Sequence, residues 1–213
     1  MTTSSPRGKK LWRIALPLPI RTDRLLLRPC REGDGVALAE AVAESFETLH
    51  PWFHDAMREY EDEASADWQE VVACRSLSEF KARDRLQFLD LTADGTLAGS
   101  VDLFDPDWTR RSFRLAFWLR PRFARHGYMT EGATAILKYA FSVLKARRVT
   151  TGHAEPNKPS AGLIRKLGFR KLSSMPMGAA MPDGTYVDGI SYVMTEPSGL
   201  PDVQVSWGQS DPA

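Results

Sequence analysis

The feature of the sequence that most constrains its fold is a strand that leads through a basic, glycine-containing loop into a long amphipathic helix. Apolar and other residues alternate over Phe113–Leu119, which predicts a strand. From Met129 to Leu144 the apolar residues recur at helical spacing, which predicts the helix. The connecting loop holds four residues that can approach or bind an anion: Arg122, Arg125, His126 and Gly127. A chain with this junction presents the start of a long helix at the end of a strand.

Such a junction suits a bound diphosphate. The first turn of a helix has amide hydrogens without intrahelical partners, and the helix dipole places partial positive charge there. Gly127 lets the backbone approach an anion closely, while Arg125 and His126 supply side-chain donors. An ordinary strand–helix turn with a solvated basic rim explains the same residues. The pattern by itself leaves both interpretations open.

The remaining strands indicate one mixed sheet. Two-residue periods and short apolar runs predict strands at Arg24–Arg28, Leu86–Leu91, Leu97–Phe104, Arg148–Ala154 and Asp188–Thr195. The Asp94-Gly95 step predicts a hairpin turn between the second and third of these. Strands that come early and mixed α–β units that come late predict an α+β domain in an α/β/α arrangement, with a central mixed sheet flanked by helices.

Three further helices are predicted around this sheet. The first follows Asp34 as its cap and ends before an aromatic cluster around Pro51; its expected apolar positions are Val36, Ala39, Val42, Ala43 and Phe46. The second spans about 64–80, with an expected stripe of Trp68, Val71, Val72 and Arg75. The third is short, begins after Asn157 and ends at Gly168. We expect a domain at 21–196, a partly disordered arm at 1–20 and a flexible tail at 197–213.

Composition excludes several classes of partner. The net charge is +1, from 28 Lys and Arg against 27 Asp and Glu, so no overall field attracts nucleic acid or anionic lipid. No apolar run approaches the ~18 residues of a membrane-spanning helix. Cys30 and Cys74 form no C-x-x-C pair, and Pro51 separates His50 from His54. We therefore expect no metal, no nucleic acid, no membrane and a cytoplasmic location.

The loop also resembles a known motif. Trp118-Leu119-x-Pro121 through Gly127-Tyr128-x-Thr130-Glu131 is similar to motif A of the GNAT superfamily, and most similar to its RimJ/RimL branch, which acetylates the N-termini of ribosomal proteins. That branch reads Q-G-K-G-Y-A-T-E where residues 124–131 read A-R-H-G-Y-M-T-E. Ala124 thus replaces the usual Gln, and Arg125 replaces the first Gly. With these two replacements, the loop is expected to approach the pyrophosphate less closely but to offer it the positive charge of Arg125.

Further segments extend the resemblance from Thr22 to Glu196. Thr22–Pro29 resembles the T-E-R-L-x-L-R-P opening strand of the branch, and Leu49–Trp52 resembles its L-x-x-W segment. Its N-x-x-S, L-G-F and G-x-Y-x-D signatures correspond to Asn157–Ser160, Leu167–Phe169 and Gly184–Asp188. The resemblance implies the GNAT acyl-CoA N-acyltransferase fold, with a mostly antiparallel sheet, and acetyl-CoA as cosubstrate.

The resemblance also implies which residues bind acetyl-CoA. The pantetheine arm is expected between the strands at 113–119 and 148–154, which should splay apart. The implied binding residues are Trp118, Leu119, Ala124, Arg125, His126, Gly127, Tyr128, Met129, Asn157 and Ser160. Ser160 is implied as the catalytic proton donor to the departing thiolate. The residues alone also indicate that Asn157 caps a helix with Ser160 at its third position.

The chemistry requires an oxyanion donor and a route for the amine proton. By the resemblance, a backbone N–H at a strand bulge near Trp118–Leu119 is the oxyanion donor. Arg114 stands where many relatives carry a glutamate base, and Ala179 or Ala180 where others do. Asp102 or Asp183 is the candidate substitute. A water relay is the alternative, because an α-amine with a pKa near 8 is already roughly 10% neutral at pH 7.

Three hypotheses follow for the function. The first is an N-acetyltransferase acting on a primary amine, above all a protein or peptide N-terminal α-amine. The second replaces this acceptor with a small-molecule amine such as a polyamine, an aminoglycoside or an amino-acid derivative. A cationic acceptor would match the acidic residues of the helical insert: Glu44, Glu47, Asp55, Glu59, Glu61, Asp62 and Glu63. The third is a CoA-binding module without turnover. The oligomeric state, a homodimer included, is left open.

Overall fold

A single mixed sheet organises the part of the chain that the structure describes. The structure is a computed structural model, and it describes residues 14–54, 57 and 59–208. The strands are β1 (Ile20–Arg21), β2 (Leu25–Arg28), β3 (Leu86–Thr92), β4 (Leu97–Asp107), β5 (Ser112–Leu119), β6 (Arg148–Ala154), β7 (Arg170–Ala180), β8 (Tyr186–Met194) and β9 (Ser206–Trp207). Their order is β7-β8-β6-β5-β4-β3-β2-β1-β9. Among the strands that the structure describes, only β5 and β6 pair in parallel, so the predicted mixed, mostly antiparallel sheet is confirmed.

Helices cover both faces of this sheet. They are α1 (Gly35–Phe53), α2 (Tyr60–Glu63), α3 (Ala66–Ala82), α4 (Tyr128–Ser142) and α5 (Lys158–Lys166). Because side chains alternate along a strand, Phe88 of β3 belongs to the main core, where its ring contacts Tyr139 of α4, while its neighbour Leu89 belongs to a second core with residues of α1 and α3. The α/β/α arrangement is therefore confirmed. Within the described ranges, no helix combines the length and the apolar character that crossing a bilayer requires.

The predicted buried face of α1 is partly wrong. Val36 is 62% exposed, and the buried residues are Gly35, Leu38, Ala39, Ala41, Val42 and Ser45. Gly35 sets this rotation, because a Cβ there would lie 2.7 Å from the backbone nitrogen of Glu70 on α3. The Glu70 carboxylate accepts the Gly35 N–H at 2.8 Å. Asp34 holds the N-cap position without a side-chain cap bond, and the helix continues through Pro51 to Phe53.

The predicted stripe on α3 is wrong as well. Val71 is 57% exposed and Arg75 is exposed, whereas the helix buries Gln69, Ala73, Ser76 and Phe80. Two of these buried residues are polar and have partners: the Gln69 amide donates to the Glu63 carbonyl at 2.9 Å, and the Ser76 hydroxyl donates to Gln87 at 2.6 Å. Hydrophobic periodicity cannot detect a face that is buried through hydrogen bonds.

Both predicted terminal arms contribute to the fold. β9 lies in the predicted tail at 197–213 and pairs with β1. The Trp207 ring contacts the Tyr139 ring of α4 edge-on at 5.8 Å, and the Lys138 ammonium donates to the Val203 carbonyl at 2.7 Å. At the other end, Ile14, Leu16 and Leu18 pack against the main core. The folded part therefore extends beyond 21–196 in both directions, while 1–13 and 209–213 lie outside the described residues.

Asp90 of β3 is a buried carboxyl without a hydrogen-bond partner on either oxygen among the described residues. It lies against Gly132 of α4, where a Cβ would be 2.6 Å from Asp90 Oδ2. Burial raises the pKa of Asp90 well above 3.8, and the charges of Asp102 and Glu131 act in the same direction. The folded state therefore favours the protonated form of this carboxyl.

We expect Asp90→Asn to flatten the pH dependence of stability. Above about pH 4 the unfolded chain releases the Asp90 proton while the folded chain retains it, so the free energy of unfolding falls as pH rises towards the folded pKa. This loss is at most about 1.4 kcal/mol per pH unit. It is absent in the variant, because the asparagine side chain does not ionise. Urea titrations at pH 5 and pH 8 should measure the free energy of unfolding of both proteins. Relative to the wild type, the value for Asp90→Asn should be higher at pH 8 than at pH 5. Parallel pH profiles would contradict the buried, protonated Asp90.

Candidate functional site

The strands β5 and β6 separate after a short parallel ladder. They pair only over Ser112–Arg114 with Arg148–Thr150. The Thr151 hydroxyl donates to the Leu115 carbonyl at 3.0 Å and bridges the first step of the opening. Beyond this point lies a cleft of about 1310 Å³, large enough for a ligand of substantial size. The predicted splay of these two strands is therefore present.

The β5 backbone directs hydrogen-bonding groups into this cleft. The Arg120 N–H donates to the Ala98 carbonyl of the β4 side at 2.8 Å, so the alternating residues Phe117 and Leu119 point their N–H and C=O groups the other way, towards the gap. An extended ligand with amide groups can bind such an edge as an added strand does.

The predicted bulge near Trp118–Leu119 is wrong. Pairing of β4 with β5 is continuous from Gly99 opposite Leu119 to Phe104 opposite Arg114, and the register shifts only between Phe104 and Asp107. Gly99 permits this regularity, because a Cβ there would lie 2.2 Å from the Trp118 carbonyl oxygen. An oxyanion donor on β5 therefore has to be an ordinary edge N–H, at Phe117 or Leu119.

The loop after β5 contains two residues with left-handed backbone. A short 3₁₀ turn at Pro121–Phe123 leads to Arg125, with φ of +64°, and to Gly127, with φ of +85°. Gly127 is the N-cap of α4. Arg125 thus adopts the conformation that favours glycine at the position where relatives carry glycine. Its exposed side chain lines the cleft, so a cation faces the site from this position.

Most of the predicted cofactor-binding residues come together at the cleft. Those that line it are Trp118, Leu119, Ala124, Arg125, Gly127, Met129, Asn157 and Ser160. His126 and Tyr128 do not. The Tyr128 ring contacts Phe123 edge-on at 5.6 Å and lies 4.5 Å from the Arg24 guanidinium, and the His126 carbonyl accepts from Arg24 at 3.0 Å. The assignment of His126 and Tyr128 to the cofactor remains a prediction without support from the cleft wall.

Asn157 and Ser160 are joined at the start of α5. Asn157 is the N-cap, and its side-chain oxygen accepts the Ser160 N–H at 3.1 Å. The predicted cap is therefore confirmed. Ser160 contributes only its backbone to this bond, so its hydroxyl takes no part in the cap. Because Ser160 also lines the cleft, capping does not compete with a chemical role for that hydroxyl.

Neither carboxylate suggested as a base reaches the cleft. Asp102 is buried, where it accepts from Ser100 at 2.7 Å and from Arg85; desolvation raises its pKa, and Arg85 opposes this. Asp183 lies in the turn between β7 and β8, where hydrogen bonds from Thr185 lower its pKa. Asp102 is therefore not available as a base, because it is buried and its oxygens are taken by Arg85 and Ser100.

His153 lies on the cleft wall, although a histidine within a strand is more often structural than catalytic. The charged described residues that line the cleft are all basic: Arg114, Arg125, Lys158 and Lys166. His153 Nδ1 lies 2.8 Å from the Ala154 carbonyl, so Nδ1 carries the hydrogen. Nε2 then accepts from the Tyr192 hydroxyl at 3.3 Å, and the two rings stack.

Known proteins with similar sequences or folds share this architecture. A family model described as an acetyltransferase (GNAT) domain matches residues 24–170. YdaF of Bacillus subtilis, assigned provisionally as a ribosomal N-acetyltransferase, is 25% identical over 171 residues, or 80% of this chain and 87% of YdaF. The ribosomal protein uS5 alanine N-acetyltransferase of Escherichia coli is 24% identical over 197 residues, or 85% and 93%. The structure of RimJ from Mycobacterium smegmatis with CoA-disulfide has a TM-score of 0.77 at 19% identity, covering 90% and 91%.

The open pair of parallel strands, with a glycine-capped helix beside it, defines an acyl-CoA N-acyltransferase fold. The family model matches well over half of the chain, and the chain therefore belongs to the GNAT acetyltransferase family. The resemblance to the RimJ/RimL branch is confirmed, because ribosomal-protein acetyltransferases are among its relatives and RimJ shares its fold. The protein is thus an acetyltransferase.

Proposed function

We propose that this protein transfers the acetyl group of acetyl-CoA to the N-terminal α-amine of a protein or peptide. The observation that carries the proposal is the cleft between β5 and β6, which runs from a strand edge to the left-handed loop at Arg125 and Gly127. Phe117 and Leu119 can bind the amides of the pantetheine arm, and the loop with the first turn of α4 can hold the diphosphate. The residues present therefore fit acetyl-CoA, which supplies the activated acetyl thioester.

The reaction forms a C–N bond at the thioester carbon and breaks the C–S bond. The N–H of Phe117 or Leu119 stabilises the negative charge on the carbonyl oxygen, because both point into the gap. Ser160 donates a proton to the departing sulfur. No carboxylate lines the cleft among the described residues, so the amine proton leaves through water, in accord with the neutral fraction of an α-amine at pH 7.

The cleft wall favours an acceptor without several positive charges. Of the insert's acidic residues, Glu44 accepts from Arg120 at 2.6 Å and pairs with Arg122, and Glu63 is buried beside Gln69. Asp55 lies outside the described residues. Instead, α1 lines the cleft with Thr48, Leu49, Pro51, Trp52 and Phe53. A polyamine or aminoglycoside would leave ammonium groups desolvated against this apolar and aromatic wall without a counter-charge.

The names of the relatives point to the same acceptor. The Escherichia coli relative acts on an alanine of ribosomal protein uS5, which makes a ribosomal-protein N-terminus the first acceptor to test. We keep a cytoplasmic location as part of the proposal, since Cys30 and Cys74 are both free thiols.

The test is acetyl-CoA-dependent release of free thiol with a panel of amines. We expect an N-terminal Ala or Ser peptide to release CoA at least about tenfold faster than spermidine or an aminoglycoside, and acetyl-CoA to raise the melting temperature. Mass spectrometry should place the acetyl group on the peptide α-amine, and an N-formylated peptide is the matched control. Faster release with spermidine would favour the small-molecule acceptor. A thermal shift without release for any amine would favour the binding module, and no shift at millimolar acetyl-CoA would reject the proposal.

A further inference from the structure

Arg24, just before β2, contacts the back of the loop between β5 and α4. Its Nη1 donates to the His126 carbonyl at 3.0 Å, and its Nε donates to Glu131 Oε2 of α4 at 2.6 Å. The guanidinium also lies 4.5 Å from the centre of the Tyr128 ring. One side chain thus contacts three residues across the start of α4.

Glu131 holds Arg24 in this position. The Glu131 residue is only 7% exposed, and both of its carboxylate oxygens have partners. Oε1 accepts from the Thr22 hydroxyl at 2.5 Å and from the Arg24 N–H at 3.1 Å, while Oε2 accepts from the Arg24 guanidinium. A buried carboxylate with this many donors fixes the geometry of its partners. The segment before β2 is therefore fastened to the first turn of α4.

The bond to the His126 carbonyl has a consequence for Gly127. The peptide unit is planar and trans, so the His126 C=O and the Gly127 N–H point in opposite directions. Arg24 binds the carbonyl and is not among the residues that line the cleft, whereas Gly127 does line it. The Gly127 N–H is thereby turned away from Arg24.

We propose that Arg24 is a positioning residue for the diphosphate of acetyl-CoA, acting through the orientation of the Gly127 N–H and the first turn of α4. This inference rests on the proposed function, because the diphosphate belongs to acetyl-CoA. In this role, the contacts of Thr22 and Arg24 with Glu131, which is distant in the chain, hold the loop in position. Arg24 contacts the loop, whereas the backbone N–H groups of the loop and of α4 contact the ligand.

The test compares two thioester donors in two matched variants. Arg24→Lys keeps a positive charge near Glu131, but the lysine cannot bind Glu131 and the His126 carbonyl together, because it lacks the planar fork of arginine. We expect Arg24→Lys to raise the KM for acetyl-CoA roughly tenfold with little change in kcat. Acetyl-pantetheine lacks the diphosphate, and its kcat/KM should change less than twofold. Arg28→Lys is the control, because Arg28 of β2 makes a bidentate pair with Asp34 away from the loop.

The outcomes separate this inference from the proposed function. A larger loss for acetyl-CoA than for acetyl-pantetheine in Arg24→Lys alone supports the positioning role. Equal losses with both donors, or the same loss in Arg28→Lys, would overturn it, because general destabilisation would then suffice. If Arg24→Lys binds acetyl-CoA with wild-type affinity, the positioning role is overturned and the proposed function stands. A wild-type protein that binds no acetyl-CoA would overturn the proposed function together with it.

Discussion

Gly127→Val should weaken acetyl-CoA binding by about 100-fold, the largest loss we expect from any single substitution in the loop. Gly127 has φ of +85°, where a β-branched residue is strained. Its Cβ would also lie 3.4 Å from Arg24 Nη2, so the new methyl groups would crowd the side chain that binds the His126 carbonyl. The dissociation constant can be measured by calorimetric titration with acetyl-CoA.

Gly95→Val is the matched control for backbone strain. Gly95 has φ of +82° in the turn between β3 and β4, and nothing lies within 4 Å of its Cβ position. Both variants should lose stability through the same left-handed conformation, but Gly95→Val should bind acetyl-CoA like the wild type. If the two variants lose affinity to the same degree, strain in the fold accounts for the effect and Gly127 has no special part in the site.

Ser160→Ala should lower kcat by roughly 100-fold, because the proposed mechanism makes the Ser160 hydroxyl the proton donor to the departing thiolate. The acetyl-CoA dissociation constant should change little. Stability should also change little, since the cap bond uses the Ser160 N–H, which alanine retains. Asn157→Ala is the comparison for stability, and it should cost about 1 kcal/mol because it removes the cap acceptor.

Steady-state kinetics and thermal melts on both variants distinguish chemistry from capping. A Ser160→Ala enzyme that turns over at the wild-type rate would remove Ser160 from the mechanism. Tyr192 would then be the better alternative acid, because its hydroxyl contacts His153 of the cleft wall at 3.3 Å. Tyr128 is a weaker alternative, because its ring packs against Phe123 and Arg24.

The elements that sequence reasoning predicted well have strong local signals. β6 has the predicted bounds Arg148–Ala154, and α4 begins within one residue of the predicted start. The Asp94-Gly95 turn joins β3 and β4 as expected. In each case the period or turn chemistry of a short segment agrees with its final environment. The cap at Asn157 belongs to the same group.

The elements that sequence reasoning missed lack such signals. β7 is an edge strand whose residues are mostly exposed, so no apolar alternation marks it. β9 is two residues long and depends on pairing with β1. The buried face of α3 is half polar, and Asp102, one of the two aspartates expected as a base, is buried and bound by Ser100 and Arg85. These properties are set by neighbours distant in the chain.

By itself, the sequence determined the junction of β5, loop and α4, the mixed sheet and the motifs of a GNAT acetyltransferase, because periodicity, turn residues and spacing are properties of short segments. Only the tertiary structure decided which side chains meet at the cleft. It brought His153 and Ser160 to the wall, excluded Asp102, and placed Arg24 behind Gly127. The physical reason is that strand register and helix rotation are fixed by packing between distant segments, and these two quantities determine where each side chain points.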